Sequence, residues 1–254
     1  MCRHLAYLGP PVTLSALVLE PPHGLLHQSY APADMRGGGT INADGFGAGW
    51  YPAPGGDAAR YRSGAPIWGD PSFTALAATV RSGAVLAAVR SATVGMPVTT
   101  SAAAPFGEGP WLFSHNGVVR GWPGSIAPLA AALPVTDLVT LDAPTDAALL
   151  WALVRHRLRA GVEPGAALAG VVADVAATAP GSRLNLLLTD GSGIWATAWD
   201  HALSVRCGDG ATLVASEPTD SDPSWRPVPE RHLLVAGQAG AAVHPLPLPP
   251  TGAS

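Results

Sequence analysis

The chain has 254 residues, of which 48% are hydrophobic and 13% are charged, and its formal net charge is −4. These values exclude a disordered chain and indicate one sizeable globular domain. The negative balance and the lack of a basic stretch argue against a nucleic-acid-binding protein.

Short apolar or alternating runs bounded by Gly, Pro and Asp predict strands, and longer periodic runs predict helices. Strands in front of and behind a central pair of helices indicate antiparallel sheets covered by helices, so we predict an α+β fold. We expect one domain over residues 1–244 and a Pro-rich tail over residues 245–254. The predicted strands cover residues 4–9, 45–51, 85–92, 111–115, 185–189, 194–199, 203–207, 212–216 and 233–236, and the predicted helices cover residues 73–81, 146–159 and 165–177.

Cys2 follows Met1 directly, so removal of the initiator methionine would leave a cysteine with a free α-amine. An α-amine titrates near ~7.7 to 8.0 and a thiol near ~8.5, so the amine can take the thiol proton close to neutral pH. Cys2 is therefore a candidate nucleophile that carries its own base. The alternative is a small apolar side chain that packs in the core.

Two segments at the ends of apolar runs carry groups that an amide hydrolase needs. Asn116 and Gly117 follow an apolar strand and could supply an amide and a backbone N–H to an oxyanion hole, although Asn-Gly is also a common hairpin turn. Arg90 follows another apolar strand, and its planar fork suits a substrate carboxylate. An ordinary exposed arginine is the alternative for Arg90.

Asp146 begins the first long predicted helix, after Pro144 and Thr145. A carboxylate at this place could bind a substrate ammonium group. A favourable interaction with the positive end of the helix explains it equally well.

The remaining candidates point away from metal and cofactor chemistry. The glycine-rich residues 42–50 let the backbone approach a ligand, but no lysine or helix follows them, so nucleotide binding is not indicated. His23 and His27 have metal-like spacing, but Pro21, Pro22 and Gly24 argue against a helix, so we assign both to a loop or the core. We predict no cofactor and no metal.

The chain contains no lysine, which excludes Schiff-base chemistry and a P-loop, and its two cysteines, Cys2 and Cys207, indicate no disulfide framework. It has no run of about 18 apolar residues, and Arg3 and His4 do not fit a signal segment. We therefore expect a cytoplasmic protein with no membrane segment.

Five segments together resemble the class II glutamine amidotransferases, in the order that this family has them. They are MCRHLAY (1–7), NADGFGAGW (42–50), RSAT (90–93), FSHNG (113–117) and TD (145–146). Since that family belongs to the N-terminal-nucleophile hydrolases, the resemblance implies a four-layer αββα sandwich of two antiparallel sheets.

The resemblance also implies a role for each candidate residue. Cys2 would be the nucleophile with its own amine as base, and Asn116 and Gly117 would form the oxyanion hole. Arg90 would hold the α-carboxylate and Asp146 the α-ammonium of a γ-glutamyl group. The expected course is attack on the γ-amide carbonyl, a glutamyl thioester, release of the amine and hydrolysis by water.

The chain departs from the family's pattern at two places. Many members have His two residues before the arginine, where this chain has Ala88. They also have an Asn-rich stretch where this chain has SAAA (101–104), before Pro105 and Phe106. We expect both differences to affect the surroundings of the pocket and to leave the reaction unchanged.

Segments in the second half of the chain resemble a branch that acts in ergothioneine synthesis: SRLNLLLTDG (182–191), ASEP (215–218) and DPSW (222–225). This resemblance implies hydrolysis of γ-glutamyl-hercynylcysteine sulfoxide to glutamate and hercynylcysteine sulfoxide. Two alternatives stay open: a glutaminase subunit that supplies ammonia to a separate synthetase, and a binding module that has lost catalysis. The sequence indicates a small-molecule substrate and leaves a protein partner and the oligomeric state open.

Overall fold

Thirteen strands form two antiparallel sheets in the computed structural model, which describes residues 2–35 and 41–247. The first sheet contains β1 (Arg3–Thr13), β2 (Phe46–Trp50), β3 (Ala59–Ser63), β4 (Arg81–Val89), β9 (Ser204–Gly208), β10 (Ala211–Ala215) and β11 (Arg226–Pro227). The second contains β5 (Phe106–Glu108), β6 (Trp111–Val118), β7 (Arg183–Thr189), β8 (Ile194–Ala198), β12 (His232–Gly237) and β13 (Gly240–Pro245). The strand orders are β11-β9-β10-β1-β4-β2-β3 and β13-β12-β8-β7-β6-β5.

Helices cover the outer face of each sheet. They are α1 (Leu14–Val18), α2 (Leu25–Tyr30), α3 (Pro71–Thr79), α4 (Ala127–Ala131), α5 (Val135–Val139), α6 (Asp146–Arg159) and α7 (Pro164–Thr178). One apolar cluster joins α1, α2 and α3 to the first sheet, and another joins α6 and α7 to the second. A third cluster fills the space between the sheets. The expected four-layer αββα sandwich is confirmed.

Alternation along β1 explains how one strand serves two layers. Leu5 and Tyr7 face the helices, whereas Ala6 and Leu8 face the second sheet. Successive side chains of a strand point to opposite faces, so an unbroken apolar run is buried on both sides.

The layer between the sheets is apolar at one end and polar at the other. Buried Leu8, Leu86 and Leu112 occupy the apolar end. At the polar end the fully buried His4 and Asn116 take the places that alternation assigns to this layer. Because β1 is antiparallel to both β4 and β10, its first residues lie beside the last residues of those two strands.

The predicted strands and helices are present, with shifted ends in some cases. The strand predicted over 85–92 begins at Arg81, because residues 81 and 82 extend the pairing with β1, and it ends at Val89. The helix predicted over 73–81 begins at Pro71, because the Asp70 carboxylate caps it by accepting the Phe73 N–H at 2.9 Å.

Eight short elements were not predicted, each of six residues or fewer: α1, α2, α4, α5, β3, β5, β11 and β13. For the helices among them, five or six residues make fewer than two turns, which is too short for a helical period to stand out.

The chain continues to pack beyond β13. Leu246 is buried, and its N–H donates to the Arg231 carbonyl at 2.8 Å. Residues 248–254 of the predicted tail lie outside the described residues, and the division of the chain at residue 244 stays a prediction.

Candidate active site

A cavity at the polar end of the sandwich brings together four of the five predicted site residues: Cys2, Arg90, Gly117 and Asp146. Its other polar lining residues are Ser91, Thr93, Ser114, His115 and Thr145, and its apolar lining includes Ala88, Met96, Ala102, Ala104 and Phe106. The sequence did not single out His115, whose Nε2 lies 3.0 Å from the Arg183 carbonyl oxygen.

Cys2 lies directly before β1 and is partly exposed. Its thiol donates to the Ser91 carbonyl across 3.6 Å, and its own carbonyl accepts from Arg3 Nη1 at 2.8 Å. These contacts hold the residue from both sides. Met1 lies outside the described residues, so the predicted free α-amine stays a prediction.

Arg90 follows the last residue of β4 and is only 9% exposed, so it is not an ordinary surface arginine. Its Nη1 donates to the carbonyl oxygens of Asp44 at 3.3 Å and Pro97 at 2.9 Å. Within residues 2–35 and 41–247, Nε and Nη2 of Arg90 have no partner, which leaves one edge of the fork for a ligand carboxylate.

The glycine-rich residues 42–50 support the segment around Arg90. The Asp44 carboxylate accepts the Ala92 N–H at 2.8 Å, and the Asp44 N–H donates to the Arg90 carbonyl at 2.9 Å. A side chain at Gly47 would meet the Ala104 carbonyl oxygen. The missing side chain of Gly47 thus makes room for a neighbouring segment, and approach of a ligand to residues 42–50 stays a prediction.

Asp146 is the first residue of α6 and is nearly buried. Its Oδ2 accepts the Val119 N–H at 3.0 Å, and its Oδ1 accepts the Ala147 N–H at 2.8 Å. Thr145 caps the helix through its hydroxyl. Asp146 thus joins the end of β6 to the start of α6 while it lines the cavity, and the remaining lone pairs of its carboxylate can accept from an ammonium group.

Asn116 and Gly117 lie inside β6, where they pair with Asn185 and Leu184 of β7. The hairpin turn that their sequence allowed is therefore wrong. Asn116 is fully buried beside the cavity, and its Nδ2 donates to Ser216 Oγ at 2.9 Å. Gly117 lines the cavity itself.

The two departures from the family's pattern both reach the cavity. Ala88 lines it from β4, and Ala102 and Ala104 line it from the segment before Phe106. The expectation that these differences affect only the surroundings of the pocket is therefore wrong. These small side chains form an apolar wall next to the charged groups.

His4 is buried in the polar layer behind Cys2, with its Nδ1 3.2 Å from Ser114 Oγ. Desolvation lowers the pKa of His4 well below its ordinary value, and the nearby charges of His115, His201 and Arg3 lower it further. The imidazole is therefore neutral at pH 7. The one signal in the sequence that could have identified His4 is its position two residues after the predicted nucleophile.

Glu217 fixes the other side of the Cys2 segment. It is almost fully buried, forms an ion pair with Arg3, and accepts from the Ala33 N–H at 2.8 Å. Burial alone would raise the pKa of Glu217, but the hydrogen bond from His23 and the charge of Arg3 outweigh it, so the pKa falls below its ordinary value.

The assignment to a loop or the core is confirmed for His23 and is wrong for His27. Gly24 is the residue before α2, so His27 is helical and His23 is not. Their Nδ1 atoms are 3.0 Å apart, and His23 Nε2 lies 2.7 Å from Glu217 Oε2. Among the described residues no group of three or more His, Cys, Asp or Glu could hold a metal ion.

Comparison with known proteins shows the family of the chain. Residues 14–208 match the model of the family described as glutamine amidotransferases class-II, and the chain belongs to that family. It is 46% identical to the γ-glutamyl-hercynylcysteine sulfoxide hydrolase of Mycolicibacterium smegmatis, over 97% of this chain and 100% of that protein.

Two solved structures share the fold. A glutamine aminotransferase class-II domain protein from Silicibacter pomeroyi has a TM-score of 0.69 and 25% identity, and the match covers 97% of this chain and all of that one. The glutamine phosphoribosylpyrophosphate amidotransferase of B. subtilis also has a TM-score of 0.69, at 14% identity, over 97% of this chain and 49% of that one. No helix within the described ranges is long and apolar enough to cross a membrane.

Proposed function

We propose that the protein hydrolyses the γ-glutamyl amide bond of γ-glutamyl-hercynylcysteine sulfoxide and releases glutamate and hercynylcysteine sulfoxide. The observation that carries this proposal is the cavity that combines the Cys2 thiol, the Arg90 guanidinium and the Asp146 carboxylate. A γ-glutamyl group has a carboxylate and an ammonium at one end and an amide carbonyl at the other. The three side chains complement these three groups.

The proposed reaction starts with transfer of the Cys2 thiol proton to the α-amine that removal of Met1 exposes. The thiolate then adds to the γ-carbonyl carbon, and the negative oxygen is stabilised by the Asn116 amide and the Gly117 N–H. Collapse breaks the C–N bond, and the proton on the α-amine passes to the leaving nitrogen. Water, deprotonated by the same amine, cleaves the thioester and releases glutamate with the thiol restored.

The identity to the Mycolicibacterium smegmatis hydrolase along nearly the full length of both proteins supports the choice of leaving group. A substrate of this kind belongs to small-molecule metabolism, and we propose the cytoplasm as its place. No cofactor enters the proposed chemistry.

The second candidate is a glutaminase that supplies ammonia to a synthetase. It is considered because the chain belongs to the class II glutamine amidotransferases. To separate the two candidates, the purified protein is incubated with γ-glutamyl-hercynylcysteine sulfoxide, glutamine or simple γ-glutamyl peptides. The rate of glutamate release is then compared among these substrates. We expect turnover of the sulfoxide and little of glutamine. Preference for glutamine would overturn the first proposal, and no turnover of any of them would support an inactive binding module.

The Cys2→Ala variant is the control for this experiment. We expect it to fold and to release no glutamate, because no other cysteine is among the described residues that line the cavity. A circular dichroism spectrum and an unfolding temperature like those of the parent protein establish the fold. Hydrolysis by this variant at the parent rate would rule out Cys2 as the nucleophile.

A further inference from the structure

Ser216 follows the last residue of β10 and is almost fully buried in the polar layer between the sheets. Its Oγ accepts the His4 N–H at 3.0 Å and the Asn116 Nδ2 hydrogen at 2.9 Å. Its own N–H donates to the His4 carbonyl at 2.9 Å. The Ser216 side chain therefore contacts both β1, which follows Cys2 directly, and a residue of the second sheet.

Among the described residues, the side-chain amide of Asn116 makes one hydrogen bond. An amide nitrogen has two N–H donors, and Ser216 takes one of them. Asn116 Oδ1 is buried and has no hydrogen-bond partner among the described residues. The bond to Ser216 thus decides the direction of the second N–H of Asn116.

We propose that Ser216 is a positioning residue that directs the free N–H of Asn116 toward the oxygen of the tetrahedral intermediate. This inference rests on the proposed function, in which Asn116 stabilises that oxygen. Cys2 lies two residues before His4 on the same chain segment, so the Ser216 hydroxyl also fixes the spacing between nucleophile and donor across the two sheets. Misplacement of a reacting group by about 1 Å can cost about 10²-fold in rate.

The test is a double-mutant cycle with Ser216→Ala, Asn116→Ala and the double variant. We expect Ser216→Ala to lower kcat about 10²-fold and to change KM less than about 2-fold, because the ground-state contacts of the γ-glutamyl end stay intact. In the Asn116→Ala background the same change should cost less than about 2-fold, since there is no amide left to direct.

Two further variants separate positioning from general stability. Ser82→Ala removes a buried serine hydroxyl at the opposite end of β4 and should leave kcat unchanged even where the unfolding temperature falls. Ser216→Thr keeps a hydroxyl at the position and should restore at least part of the lost kcat.

The outcomes are distinct. If the fold-losses in kcat of Ser216→Ala and Asn116→Ala multiply in the double variant, the inference is overturned, because Ser216 would then act independently of Asn116. Full activity of Ser216→Ala alongside an impaired Asn116→Ala would also overturn it and leave the proposed function standing. An active Cys2→Ala protein would instead overturn the proposed function.

Discussion

Arg90 and Asp146 each serve the fold and the cavity with different parts of one side chain. Arg90 uses Nη1 on two main-chain carbonyls, and Asp146 uses both oxygens on main-chain N–H groups. The orientation of both side chains is thus set before a ligand arrives. This lowers the entropic cost of ordering them on binding.

Arg90→Ala tests the carboxylate site. We expect kcat/KM for γ-glutamyl substrates to fall by about 10 to 10²-fold, mainly through a higher KM, because a charge-assisted hydrogen bond contributes about 1.5 to 3 kcal/mol. Steady-state kinetics measure the change. Arg81→Ala, which removes an exposed arginine at the other end of β4, is the matched control and should behave like the parent protein. An unchanged kcat/KM for Arg90→Ala would remove Arg90 from the site.

Glu217→Gln tests the buried ion pair with Arg3. We expect a loss of about 3 to 5 kcal/mol in the free energy of unfolding at pH 7, because the buried guanidinium of Arg3 loses the negative charge of Glu217. The folded pKa of Glu217 is lowered, so its contribution is present above the unfolded value near ~4.3 and is lost as pH falls through the folded value.

Urea unfolding at neutral and acidic pH measures this prediction. The difference between parent and Glu217→Gln should shrink as pH falls below about 4.3. Glu20→Gln replaces an exposed glutamate and should change stability by less than about 0.5 kcal/mol. A constant difference at all pH values would contradict a contribution from the ionised carboxylate.

Among the elements, α6 has the clearest link between sequence and site. Its bounds were predicted without error, because Thr145 and Asp146 form a strong helix start and the basic residues His156, Arg157 and Arg159 lie in its last turn. The short α2 was missed, because Gly24 reads as a break when it is in fact the residue before the helix.

Thr145→Ala tests the start of α6. Loss of the hydroxyl that accepts the Ala148 N–H should cost about 0.5 to 2 kcal/mol. In a domain of this size each kcal/mol corresponds to about 2 to 4 °C in Tm. Thr145→Ser keeps the capping hydroxyl, so its Tm should fall much less than that of Thr145→Ala. Equal losses for the two variants in thermal unfolding would indicate that packing of the methyl group, and not the cap, is responsible.

At the scale of the whole molecule, the class of fold could be predicted and the neighbours of each strand could not. Alternating and apolar runs identify strands, but no local pattern places β1 between β4 and β10. The same limit applies to the site. Cys2 and Asn116 carry visible chemistry, whereas Ser216 stands out only through its contacts with His4 and Asn116, which are 212 and 100 residues away in sequence.

The bonds between His4 and Ser216 join residues 212 positions apart in sequence. Contacts of such separation close a very long loop, which delays their formation relative to local structure. The site should therefore assemble late, after most of the helices and hairpins exist. In refolding from urea we expect far-UV ellipticity to recover before glutamate release, and simultaneous recovery would contradict this order. Under the proposed function, a newly made chain would then keep its reactive thiol without an oxyanion hole until residue 216 has joined the sheet.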